Sequence, residues 1–262
     1  MPTWNPVFSD EFRAASDIDR GKWESPVWIS KDDNPAYIPR TGLRSPTQAF
    51  DGQIGLVPCT AQNGADLRLS TYNPAADPPN SAFLGSCIYT RERWGAKGET
   101  VKFEAVVKCT EMPGGAVASV FAYALCTGRS DKVQNEIDFE FASNHWKSPN
   151  QQLLTNVFVC SSGAGRGPKE QNTTVNFLDW NTFSLIYTPS QSVEWQTNEI
   201  SVRKETEHVP DWKQSTGMHL YLNFWAPTPG WTWAGNSGIN PSGAPGTEWH
   251  YYVKRAAVYY WT

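Results

Sequence analysis

Residues 135–144 read NEIDFEFASN, so that Glu136, Asp138 and Glu140 alternate with Ile137, Phe139 and Phe141. A period of two is the pattern of a β-strand buried on one face. The buried face carries Ile and Phe, and the open face carries three acids. Like charges along one strand face repel and raise one another's proton affinity. Such a file costs stability, so the pattern asks for a use.

The same reading extends outward from this stretch. DLRLSTY (66–72), CIYTRERW (87–94), TVKFEAVVKC (100–109) and AVASVFAYALC (116–126) precede it. LLTNVFVC (153–160), NFLDWNTFSLIYT (176–188), SVEWQTNEISVRKE (192–205), MHLYLNFWA (218–226) and WHYYVKRAAVYYW (249–261) follow it. Each alternates or is rich in β-branched and aromatic residues, with Gly, Pro or Asn between most of them. The first segment of the chain also reads as a strand. The one helical candidate lies near RTGLRSPTQAFDG (40–52); elsewhere 20 Gly and 19 Pro interrupt longer attempts. About ten or more strands with short connections predict an all-β fold, a two-sheet sandwich or jelly roll. YNPAADPPNS (72–81) and PTPGWTWAGNSGINPSGAPG (227–246) read as long surface loops, because strand patterns resume after each. With no composition shift and no internal repeat, residues 1–262 are expected to form a single domain.

The chain has 262 residues, a net charge of -4 and 39% hydrophobic residues, enough for a substantial core. No basic run suggests nucleic acid, and no apolar stretch approaches the roughly 20 residues of a membrane helix. Thirteen Trp, 10 Tyr and 12 Phe make 13% of the chain, many of them beside Asn, Gly and Pro. Aromatics in polar company suit a surface that stacks on the apolar faces of sugar rings, although a large β-core accounts for more than half of them. The five cysteines, Cys59, Cys87, Cys109, Cys126 and Cys160, show no CxxC pair and no metal-ligand spacing with the 4 His. They allow at most two disulfides with one thiol left over, which fits a secreted protein. No signal peptide precedes MPTWNPVFSDEF, so a mature chain behind a start Met is expected; Asn172 opens a sequon, NTT.

Three uses of the acid file compete. A solvated edge is the plainest, but AVASVFAYALC and LLTNVFVC, the neighbouring strand candidates, are too apolar for a freely exposed face. A hard cation is the second, yet calcium takes about six or more oxygens and a straight strand offers three carboxylates. Acid–base chemistry on a glycosidic bond is the third. It needs two carboxyl groups about 5–5.5 Å apart for retention, or about 6.5–9.5 Å for inversion. The Cα atoms of Glu136 and Glu140 lie about 13 Å apart on an extended strand, and long side chains leaning inward on a concave sheet close that gap. Asp138 is too short to reach substrate but is placed to bond one Glu and tune the other.

NEIDFEF resembles the catalytic strand of family 16 glycoside hydrolases, in the bulge-free form of the lichenases and the plant xyloglucan-active enzymes. VFSDEF (7–12) followed by GKWE (21–24) resembles the family's mature start, and GAVASVFAY (115–123) the strand before the catalytic one. LTNVF (154–158), WNTFSLIYTPSQSVEW (180–195) and MHLYLNFW (218–225) resemble, in order, later strands of that family. The resemblance implies a jelly-roll sandwich of two curved antiparallel sheets with a glycan cleft on the concave face. It places Glu136 as nucleophile, Glu140 as acid/base and Asp138 as the auxiliary acid between them. Trp225 and Trp233 match cleft-lining positions, with Trp231 close by. Asn156 stands where the family places a substrate contact. On the strand before the acids, Phe121 and Tyr123 are cleft candidates of one parity, together with Ser119.

The departures bear on substrate. SCIYTRERWG (86–95) puts Cys87 and Tyr89 where lichenases carry a sugar-binding Glu and Arg. TGRSDKVQ (127–134) lacks the Trp that lichenases place ahead of the acids. The chain ends at AAVYYWT without the plant enzymes' Cys-rich extension, so strong transglycosylation does not follow. Arg255 or Ala256 stands where the family's calcium-binding Asp is found, so no metal and no cofactor are expected. The expectation is a secreted, monomeric, retaining endo-β-glucanase. Mixed-linkage β-1,3-1,4-glucan is the first substrate, with xyloglucan or a β-1,3-glucan next. A lectin-like binding module on the same sandwich is the competitor from another class.

Overall fold

In the computed structural model, residues 3–13, 18–25, 53–54, 59–61, 64–70, 84–128, 134–143, 151–160, 165–173, 175–226 and 247–262 are described. Their strands are β1 (Trp4–Asp10), β2 (Trp23–Glu24), β3 (Gln53–Ile54), β4 (Cys59–Ala61), β5 (Gly64–Ser70), β6 (Leu84–Thr90), β7 (Val101–Cys109) and β8 (Val117–Leu125). They continue as β9 (Gln134–Ala142), β10 (Gln151–Phe158), β11 (Gly165–Thr173), β12 (Asn181–Thr188), β13 (Ser192–Thr197), β14 (Ile200–Glu205), β15 (His219–Trp225) and β16 (Glu248–Trp261). One turn of 3-10 helix, Trp212–Gln214, is the helical structure among the described residues. None of it is long and apolar enough to cross a membrane.

The strands form an all-β jelly-roll sandwich. One sheet runs β11-β10-β9-β8-β15-β6, with β2 added beyond β6. The other runs β5-β16-β7-β12-β13-β14, with β4 on β5 and β1 on the second half of β16. Among the described residues a single pair, Ser70 with Leu84, joins β5 to β6 across the two sheets, and the pairings are antiparallel except β3 with β6. The first and last strands are partners, Trp4 lying opposite Trp261.

Period-two sequences become strands because each inner face is buried against the other sheet. Ile137, Phe139 and Phe141 of β9 are all at most 1% exposed. Phe139 meets Phe183 edge-on at 5.4 Å between centroids, and Phe141 packs on Phe177 at 4.9 Å and Phe183 at 4.8 Å. Each such ring contributes roughly 1.5–3 kcal/mol relative to an exposed one. With that face buried, β9 has one register: a one-residue slip would put three acids in the core.

Turn chemistry sets the ends. SVEWQTNEISVRKE folds as the β13–β14 hairpin, with Asn198 and Glu199 both at positive φ (49° and 67°), as a two-residue primed turn requires. Gly64 sits at φ 140°, where a Cβ would lie 2.1 Å from the Val253 carbonyl oxygen, so no side chain fits there.

The strands differ from the sequence expectation in three places. NFLDWNTFSLIYT starts its strand only at Asn181, because Asn176 closes a turn: its Oδ1 accepts from the Leu178 N–H at 3.1 Å. CIYTRERW stops at Thr90, beyond which Trp94 makes an isolated backbone bridge to Met218. GRGPKEQNT forms β11, although it has no apolar alternation and contains Gly and Pro. Its backbone is held by β10, an instance of tertiary pairing overriding local propensity. The helical candidate at 40–52 lies outside the described residues.

Candidate active site

The acid file of β9 stands on the outer face of its sheet, and strand register builds the surroundings. Glu136 lies opposite Tyr123 of β8 and Phe158 of β10. Asp138 lies opposite Phe121 and Asn156, and Glu140 opposite Ser119 and Leu154. The rows continue across β15 and β6: Tyr123 faces His219, Phe121 faces Tyr221 and then Tyr89, and Ser119 faces Asn223 and then Cys87. Glu136 and Glu140 are half-buried, and Asp138 is 4% exposed.

Burial without a cation dominates the electrostatics. Among the described residues, no Lys or Arg forms an ion pair with any of the three acids. Desolvation pushes the Glu136 carboxyl up to about 7, against hydrogen bonds from Gln134 and Asp138 that pull it down. Gln134 Nε2 donates to Glu136 Oε2 at 3.0 Å. Desolvation pushes Glu140 further, to about 8, and the Glu136 charge adds to it. Asp138 is driven well above the usual carboxylate range by burial, then by the charges of Glu136 and Glu140. Its bond with Glu136 lowers the proton affinity of Glu136 and raises its own. Asp138 Oδ1 is buried with no partner among the described residues. Three neighbouring acids thus differ in proton affinity, which is the requirement for running acid and base steps side by side.

The model of the glycosyl hydrolases family 16 matches residues 69–250. The chain belongs to that family. It is a glycoside hydrolase, and its sandwich is shared by solved structures of low sequence similarity. The endo-β-1,3-glucanase of Pyrococcus furiosus aligns with a TM-score of 0.69 at 16% identity, over 99% of this chain and 95% of that one. A prokaryotic β-1,3-1,4-glucanase (lichenase) from a mouse hindgut metagenome aligns at 0.65 and 17%, over 97% of each chain. Bacillus licheniformis β-glucanase aligns at 0.64 and 16%, over 97% and 98%. These likenesses speak to fold. No curated protein matches the chain by sequence.

Back-sheet side chains reach through the core of this family 16 hydrolase to hold the acid-bearing strands from beneath. The Trp195 indole N–H donates to the Asp138 carbonyl at 2.8 Å. Arg203 donates to the Thr155 carbonyl at 2.9 Å and hydroxyl at 3.0 Å, stacks on Trp195 at 4.4 Å and pairs with Glu205 at 3.0 Å. The Tyr251 hydroxyl donates to the Ser119 carbonyl at 3.3 Å. β9, β10 and β8 are each tied to the opposite sheet within one residue pair of an acid.

The other residues expected at the site fall into three groups. Tyr123 is half-buried beside Glu136, with its ring edge-on to Tyr221 at 5.6 Å. Phe121 is 3% exposed and stacked on Tyr221 at 4.8 Å, and Tyr221 stacks in turn on Tyr89 at 4.7 Å. The face Phe121 would offer to a sugar is therefore taken by Tyr221. Trp225, 4% exposed, lies opposite Val117 in one buried cluster with Cys87, Leu154 and Tyr221, and Asn156 spends its Oδ1 on the Val157 N–H at 2.9 Å. Trp231 and Trp233 lie outside the described residues.

Sequence reasoning passed over Gln134, Tyr221, Asn223 and His219. Parity alone reaches Gln134, since it extends the polar file of β9 by one step. The others need strand order, which brings β15 beside β8. His219 is neutral: burial and the Arg93 charge lower its pKa, while its Nδ1 lies 2.6 Å from the Thr90 carbonyl and its Nε2 accepts from Arg93 at 2.7 Å.

One disulfide, Cys126–Cys160, joins the ends of β8 and β10; Cys87 and Cys109 are free and buried. Glu205, Glu207 and His208 offer ligand atoms within 4.8 Å of one another. However, Glu205 already accepts from Arg203 and from the backbone N–H groups of Glu207 and His208.

Proposed function

We propose that this family 16 hydrolase is a secreted, monomeric endo-β-glucanase, one catalytic domain over residues 1–262, that cleaves with retention of configuration. The supporting observation is the uneven proton affinity of the acid file. Glu136, relieved by two donors, ionises before Glu140, which has no hydrogen-bond donor among the described residues. Glu136 attacks the anomeric carbon while Glu140 passes its proton to the departing glycosidic oxygen. A glycosyl-enzyme ester forms on Glu136. Glu140, now ionised, takes a proton from water as that water attacks the same carbon, and Glu136 leaves as carboxylate. Asp138 keeps a proton between them, donating to Glu136 when that group is charged.

Mixed-linkage β-1,3-1,4-glucan is the first substrate on the bulge-free pattern of β9. A β-1,3-glucan or xyloglucan is the second, because Cys87 and Tyr89 stand in place of the lichenase sugar-binding pair. The Cys126–Cys160 bridge supports secretion, because a disulfide suits an oxidising environment. The test is product analysis of the protein and its Glu136→Gln variant on barley β-glucan, xyloglucan, carboxymethyl cellulose, laminarin and a galactan. Oligosaccharides from one polymer, absent with the variant and first released with retained configuration, support the reading and name the substrate. Binding of a polymer without cleavage would replace it with the lectin-like one.

A further inference from the structure

β9 begins one residue pair before its acids, at Gln134, which lies opposite Leu125 at the end of β8. Gln134, Glu136, Asp138 and Glu140 share one strand parity and so one sheet face. The half-buried Gln134 donates from Nε2 to Glu136 Oε2 at 3.0 Å, and Asp138, two residues further on, also shares a hydrogen bond with that carboxyl. Glu136 is thus held from position i−2 by an amide and from position i+2 by an acid. The two donors are not equivalent. Asp138 donates only while it carries a proton, whereas the amide donates at any pH.

The backbone that aims Gln134 is itself clamped. Asn135, 1% exposed, accepts from the Cys160 N–H at 3.0 Å and donates to the Asp211 carbonyl at 3.2 Å and the Ser215 hydroxyl at 3.4 Å. The Cys126–Cys160 bridge ties the ends of β8 and β10, the two strands that flank β9, and Thr127 N–H donates to the Gln214 carbonyl at 2.8 Å. The start of β9 is therefore fixed on both sides and from the 211–215 turn.

We infer that Gln134 is a positioning residue for the nucleophile, fixing the orientation of the Glu136 carboxylate and favouring its charged form. This rests on the assignment of Glu136 as nucleophile. An amide N–H on a carboxylate is a charge-assisted bond, and it is strongest when Glu136 is ionised: before attack, and again as the glycosyl-enzyme breaks down. Among the described residues, the ionisable groups facing Glu136 are Asp138 and Glu140 on its own strand, Tyr123 from β8 and, one strand further, neutral His219 of β15; β10 presents Phe158.

The test is the pH–rate profile of Gln134→Met, which keeps length but has no donor, and of Gln134→Glu, which replaces the amide by an acid. For Gln134→Met the expected result is a fall in kcat of roughly tenfold with no rise in KM, and an acid limb moved up by about one pH unit. For Gln134→Glu the limb moves up at least as far, since a fourth acid repels the Glu136 charge. Both profiles are read at a temperature where near-ultraviolet circular dichroism matches the parent, and either folded variant suffices. An unmoved acid limb, or a loss expressed wholly in KM, overturns the inference. Glu136→Gln separates the two levels. If it stays active, the nucleophile assignment falls; if it is inactive while the Gln134 variants keep the parental limb, only the role of Gln134 falls.

Discussion

Glu104 and Asp138 are both acids in strand interiors, on opposite sheets, at 6% and 4% exposure, and the molecule treats them in opposite ways. Around Glu104 the back sheet gathers Lys102 at 3.0 Å, Ser184 at 3.1 Å, Tyr259 at 3.2 Å and Arg255. Desolvation raises its proton affinity, but these partners outweigh that and leave the carboxyl below its usual value. Glu205, with Arg203 and two backbone N–H groups, is pulled down to about 2. Around Asp138 stand Glu136, Glu140, Asn156 and Phe121, and its carboxyl is pushed up. At equal burial, partner charge decides whether a strand-interior carboxyl is pulled below or pushed above its usual value.

Four substitutions break or sharpen that contrast, taken from the largest effect down. Glu136→Gln removes the proposed nucleophile and should lower kcat about 10³-fold or more, with the melting temperature equal or higher; reducing-sugar assay and calorimetry check both. The parental profile against pH should be a bell whose acid limb lies above the ordinary Glu value of about 4.3, since Glu136 is raised. A limb at or below that value would count against the desolvated site.

Asp138→Asn should cut kcat roughly tenfold while stabilising the fold. The raised folded-state pKa of Asp138 means that its favourable contribution is complete below the unfolded value and is lost as pH rises toward the folded one. Replacing it should add on the order of 1 kcal/mol at neutral pH, about 2–4 °C in Tm, and flatten the fall of Tm with rising pH.

Glu104→Gln should do the reverse. Its lowered pKa gives stability that is present above the unfolded value and lost as pH falls through the folded one. Removing the charge leaves Lys102 and Arg255 without their acid and should cost about 1–3 kcal/mol at pH 7, less at low pH, with kcat unchanged below the melting transition. Chemical denaturation at two pH values measures this. A loss of activity larger than the loss of folded protein would show that the two sheets are coupled through more than packing.

Trp195→Phe tests that coupling directly. It keeps the ring in the core and deletes the N–H to the Asp138 carbonyl, at a cost of about 1 kcal/mol in stability and a few-fold in kcat. An unaltered kcat would mean that β9 holds its acids without support from below.

The alternation of NEIDFEF is enough to place three acids on one face and two Phe in the core, because a period of two admits no other assignment. The same rule locates nearly all the long strands, and with them the sandwich. β11 escapes it: GRGPKEQNT has neither β-branched runs nor alternation, and its strand exists because β10 offers a ladder to pair with. Phe121 and Trp225 are legible as belonging to the site face, but the stacking of Phe121 on Tyr221 and the burial of Trp225 opposite Val117 are not, because those neighbours arrive from distant positions in the chain. The cysteines are similar, since sequence spacing permits many pairings and only the ends of β8 and β10 bring Cys126 to Cys160.

The amino-acid sequence by itself determined the fold class, the family and the face on which Glu136, Asp138 and Glu140 stand. These follow from local periodicity and from motifs written along single strands. Tertiary structure alone decided that the three acids have raised proton affinities, through desolvation of the file and the absence of a nearby cation among the described residues, and it set which donors reach Glu136. It also decided that Trp195, Arg203 and Tyr251 brace the site strands from the opposite sheet. Proton affinity and bracing depend on what is close in space, and strand order, not sequence order, sets those distances.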